Sequence, residues 1–75
     1  MSTPLQEARA LFAACYTAAP SDPWLLRWSH EWLATNGVPT LEACSDGLLG
    51  AYVRELREGF REHRAEVSAE RVQSA

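Results

Sequence analysis

The sequence predicts an all-α fold, a small three- to four-helix orthogonal bundle. Three observations carry that expectation. Apolar residues recur at spacings of three and four along most of the chain, which is the period of a helix face. Capping residues and prolines divide the chain into segments of helical length. Twelve alanines against few β-branched residues favour helix, and no stretch alternates with the period of a strand.

The first helix is expected over residues 4–19. Thr3 caps it, Pro4 suits the first helical position and Gln6 completes a capping box. Leu5, Ala8, Phe12, Cys15, Tyr16 and Ala19 share one face, and Pro20 stops the helix. The second helix is expected over 23–36, started by Ser21-Asp22-Pro23 and ended by Asn36-Gly37, with the glycine in a left-handed position. Thr40 then caps about one turn of helix near 41–44. A long helix follows over 46–66, with Leu49, Tyr52, Val53, Leu56, Phe60, His63 and Val67 on one face. Gly50 and Gly59 either weaken it or permit close packing. One domain is expected over 1–67. The apolar pattern then thins, so 68–75 is read as a frayed tail.

Trp24, Trp28 and Trp32 stand four residues apart and fall on one stripe of the second helix. With Leu25, Leu26 and Leu33 they sweep an arc of roughly 200°, whereas a surface helix needs an apolar arc of only about 100° or somewhat more. Either this helix lies in the middle of the bundle, flanked by the first and last, or one edge of its arc meets a partner. Tryptophan and arginine are enriched at interface hot spots. Trp24, at the edge of the arc, is expected to be the exposed member, so that Trp24→Ala weakens partner binding at little cost in stability.

The polar side of the last helix is grouped by sign. Arg54, Arg57, Arg61 and Arg64 form one stripe, and Glu55, Glu58, Glu62 and Glu66 form another beside it. Neighbouring opposite charges support a helix by a few tenths of a kcal/mol per pair. Stripes of opposite sign also orient an antiparallel helix partner. Phosphate binding by the arginines is disfavoured by the adjacent glutamates and by the net charge of −3.

The sequence points away from chemistry. No phosphate-binding glycine loop and no Gly-x-Ser-x-Gly elbow occurs. His30 and His63 are each isolated; Glu62 and Glu66 stand beside His63, but that is too few donors for a structural zinc, which needs about four, and nothing lowers the pKa of Cys15 or Cys44 or brings either to a histidine. No catalytic, cofactor-binding or metal-binding residue is expected. The two cysteines are read as small buried hydrophobes, with a Cys15–Cys44 bridge left open. There is no signal-peptide pattern at the N-terminus and no apolar run long enough to span a bilayer, so a cytoplasmic protein without a membrane partner is expected. A core of this size is marginal unless a disulfide, a metal or a second chain supplements it, which makes a homodimer compatible.

Leu26-Arg27-Trp28, Trp32-Leu33, the Asn36-Gly37-Val38 turn, Leu41-Glu42-Ala43 and Ala51-Tyr52-Val53-Arg54-Glu55-Leu56-Arg57 together resemble the SAM-like core-binding domain at the N-terminus of tyrosine recombinases. The resemblance covers about half the chain. It implies an orthogonal bundle of three or four helices. No recombinase catalytic residue maps onto this sequence, and the lysines that would grip DNA are missing.

The functional expectation is a small, non-enzymatic regulatory or adaptor protein acting by protein–protein binding, for instance by inhibiting a transcription regulator or another larger partner. The residues expected to meet the partner are Trp24, Arg27, Trp28, Glu31, Arg54, Arg57, Arg61 and Arg64. The alternative is a small DNA-binding module related to recombinase core-binding domains.

Overall fold

The computed structural model describes the backbone of residues 2–74 and the side chains of residues 2–70. Three helices, α1 (Pro4–Ala18), α2 (Trp24–Thr35) and α3 (Asp46–Ser74), are joined by a turn and by a single 3₁₀ turn at Leu41–Ala43. Among the described residues there is no strand, so the all-α class holds.

The termini of the helices follow local chemistry. At α1 the Gln6 amide N–H donates to Thr3 Oγ1 at 3.2 Å, and the Thr3 N–H donates back to Gln6 Oε1 at 3.0 Å. This reciprocal pair is the expected capping box. At α2 the helix begins one residue later than expected. Pro23 sits just outside it, and Asp22 Oδ1 accepts from the Trp24 N–H at 2.9 Å. The far end of α2 closes with Val38 N–H on the Leu33 carbonyl and Gly37 N–H on that of Ala34, both at 3.1 Å. That Schellman pattern requires a left-handed residue, and Gly37 supplies it with φ of +71°. Thr40 does not cap through its side chain, contrary to expectation; its carbonyl accepts from Ala43 N–H instead. Ser45 Oγ accepts from Leu48 N–H at 3.3 Å and starts α3.

Two expectations about architecture are corrected. α3, not the tryptophan helix, is the central element. It contributes Leu49, Tyr52 and Leu56 to the buried core, against Ala8 and Cys15 from α1 and Leu25 from α2. α1 packs chiefly along α3, and α2 packs against both. The width of an apolar arc reveals how much of a helix is covered but not which helix is central. The second correction concerns the length of the last helix. α3 is continuous from Asp46 to Ser74 rather than ending near residue 66, and Ala75 lies outside the described residues. Alanine, glutamate, arginine and glutamine are strong helix formers and carry the helix past its last packed residues. At about 1.5 Å per residue α3 is about 43 Å long, which matches the 44 Å long axis of the molecule.

The buried face of α1 is centred on Ala8 and Cys15, which lie two turns apart. Tyr16, about 100° further round than Cys15, is 47% exposed rather than part of that face. Leu11, on the other side, packs against the core in its place. The two cysteines are free thiols, so no bridge staples the bundle. An ion pair between Arg9 and Glu42 ties α1 to the 3₁₀ turn; both side chains are exposed, so it adds little stability.

Candidate functional site

The three tryptophans form a ladder along the seam between α2 and α3. Trp24 and Trp28 stack with centroids 5.9 Å apart, and Trp28 and Trp32 with centroids 6.3 Å apart. The four-residue spacing advances each ring by about one helical turn, which brings successive indoles within stacking range. All three are half-buried, so each shows part of its surface to solvent.

α3 supplies the other wall. Tyr52 meets Trp28 at 5.5 Å and Trp32 edge-on at 5.3 Å. The fully buried Tyr52 hydroxyl shares a 2.9 Å hydrogen bond with Ser29 of α2. Ser29 follows Leu25 by four residues and so points the same way, into the core. Burial pushes the Tyr52 hydroxyl pKa up, and the hydrogen bond to Ser29 partly offsets it. The ladder passes beside Gly59 of α3: a Cβ there would lie 3.5 Å from Trp24 Cζ2 and Cη2 and 3.7 Å from Trp28 Nε1, which is ordinary contact, so the seam accommodates glycine at this position without requiring it.

Trp24 is not the exposed member of the ladder. Its ring lies flat on the His63 imidazole, with centroids 4.8 Å apart and planes 9° from parallel, and it also touches Phe60 at 6.0 Å. His63 Nε2 in turn pairs with Asp22 Oδ2. Asp22 therefore holds two groups: one carboxylate oxygen caps α2 and the other clamps His63 of α3. These bonds, the one to His63 foremost, hold the Asp22 carboxyl below the usual carboxylate range. The exposed apolar residue of α2 is Leu26, at 57%.

The remaining expected contact residues separate into two groups. Arg27, Glu31, Arg54, Arg57 and Arg61 are exposed and form no ion pair among the described residues. No ion pair joins the arginine and glutamate stripes of α3 among the described residues. Arg64 leaves its stripe: it is half-buried and lines a shallow recess of about 340 Å³ with Asp22, Val67 and the turn after α1. At the other end of the ladder, Trp32 Nε1–H donates to Glu55 Oε2 at 3.2 Å. Glu55, Trp28, Glu31, Trp32, Thr35 and Asn36 line an open groove of about 370 Å³.

The sequence reading missed Ser29, Glu55 and the clamp between Asp22 and His63. Ser29 was detectable as a small polar residue inside an apolar arc. The clamp joins residues 41 apart in sequence and carried no local signal. Comparison with known protein families, curated proteins and solved structures gives no match for this chain.

Proposed function

We propose that the chain is a small non-enzymatic adaptor or regulatory protein that acts by protein–protein binding. The observation that carries this reading is the tryptophan ladder, whose rings are packed on one side and reach solvent on the other. Rigid, half-covered aromatic surface is what interface hot spots are made of. Arg27 and Glu31 of α2, exposed and without an ion pair among the described residues, supply orientation beside it, and Arg54, Arg57 and Arg61 add an exposed basic row elsewhere on α3. Burial pushes the Cys15 and Cys44 thiols up, which works against thiolate chemistry. A protein of this kind inhibits a larger partner, such as a transcription regulator, by occupying its functional surface.

The test is purification of the tagged chain from its native host, followed by reconstitution of any complex from purified components. A stoichiometric protein partner whose binding is weakened by Arg57→Glu or Glu31→Arg supports the reading. Recovery of nuclease-sensitive DNA instead overturns it. That outcome would favour the second reading, a DNA-binding module akin to recombinase core-binding domains. The exposed row Arg54, Arg57 and Arg61 supports it; the partial burial of Arg64 and the flanking Glu58 and Glu62 count against it.

A further inference from the structure

The groove at the Trp32 end of the ladder has a composition unlike the rest of the surface. Its lining consists of two indoles, two carboxylates, a hydroxyl and an amide, from Trp28, Trp32, Glu31, Glu55, Thr35 and Asn36. No cation is among them. We infer that this groove seats an arginine side chain presented by a basic segment of a partner protein. The inference rests on the protein–protein reading above and supplies the chemistry of the partner.

Trp32 is the last ring of the ladder, stacked with Trp28 on one side and held edge-on by Tyr52. Its N–H engages Glu55 Oε2, which fixes that carboxylate at the rim while Oε1 has no partner among the described residues. The Glu31 side chain, from the opposite wall, has no hydrogen-bond or ion-pair partner among the described residues. Arg27, one turn before Glu31, is exposed and does not reach it. A cation entering here meets indole surface and two carboxylates at once. The planar guanidinium matches both, stacking on an aromatic face and donating in a fork to a carboxylate. An ammonium group matches only the charge. The chain's own arginines fit less well: Arg57 and Arg61 are flanked by Glu58 and Glu62, and two copies of a chain of net charge −3 repel.

The test is a titration of the isotope-labelled full chain with a capped Gly-Arg-Gly-Arg-Gly peptide, followed by the indole N–H resonances of Trp28 and Trp32. Saturable shifts at these two signals are expected. The same peptide with neutral citrulline in place of arginine should bind about ten-fold more weakly, as should the arginine peptide to Glu31→Gln. Glu31 is exposed and unpaired, so this variant should keep the wild-type unfolding midpoint. Absence of shifts up to millimolar peptide overturns the inference, as does an equal response to citrulline or an unchanged affinity in Glu31→Gln. A lysine peptide that binds equally well overturns the guanidinium assignment. Self-association that Glu31→Gln abolishes would assign the groove to a second copy and overturn the foreign partner. Failure of the peptide beside an intact reconstituted complex removes the groove inference and leaves the adaptor reading standing. Peptide binding by a chain that recovers no protein partner removes the adaptor reading and leaves the groove chemistry standing.

Discussion

Replacing Trp24 by alanine should cost about 2–3 kcal/mol of folding stability, the reverse of what an exposed ring would give. A fully buried tryptophan lost to alanine costs about 3–5 kcal/mol. Trp24 is mostly but not fully buried, so about two-thirds of that cost, about 2–3 kcal/mol, applies. That figure already includes the lost pairing with its three aromatic neighbours, His63, Trp28 and Phe60. The Asp22 cap is made to the Trp24 backbone and survives the substitution. A chain of 75 residues has about 4–11 kcal/mol in total, so this loss is a large fraction of the whole. At about 4–8 °C per kcal/mol for a domain of this size, Tm should fall by about 10–20 °C. Urea unfolding followed by far-UV circular dichroism measures the loss directly. A change below about 0.5 kcal/mol, the scale of surface substitutions, would mean that the ring does not pack against α3, and the ladder as described would be wrong.

Further predictions concern the same seam and three of the glycines. Tyr52→Phe leaves Ser29 Oγ buried without its partner and should cost about 1–3 kcal/mol; Ser29→Ala in the same chain should recover part of that loss, read as a coupling energy in a double-mutant cycle of urea midpoints. The Asp22 carboxyl titrates lower in the folded chain than in the unfolded one. Its contribution is therefore complete above about pH 4 and lost as pH falls through its depressed folded value. Asp22→Asn should flatten the acid limb of a stability–pH profile in that window, and an unchanged limb would contradict the clamp. Gly50 faces open space, so Gly50→Ala should stabilise by about 0.8–1 kcal/mol. Gly59→Ala meets Trp24 only at ordinary contact distance and should be neutral to stabilising, whereas Gly59→Leu should displace the ladder and lower Tm. Gly37→Ala should cost about 1 kcal/mol or more, because φ is +71° there.

The parts of this fold that were legible in the sequence are those written within a few residues. The Thr3–Gln6 capping box, the Gly37 terminator and the core face of α3 all follow from short-range spacing and backbone sterics. Relations between helices were not legible. The tryptophan arc looked too wide for a peripheral helix, yet α2 lies beside α3 and leaves Leu26 exposed. Trp24 sat at the edge of its own helix's arc, but that edge faces His63 and Gly59 across the seam. The all-α class was secure because every local signal agreed on it. The surface was less so, because whether an aromatic edge is covered depends on residues from another helix, such as Glu55 and His63.

The stacked indoles also have an optical consequence. Chromophores whose centroids lie 5.9 and 6.3 Å apart couple their electronic transitions, so the ladder should absorb and fluoresce as a set rather than as three separate dyes. The coupling gives a circular-dichroism couplet that vanishes when the rings part, even where helical backbone persists. The His63 imidazole lies against one end of the set, and the groove lies at the other. The protein thus carries its own label: light alone can distinguish loosening of the seam from loss of helix.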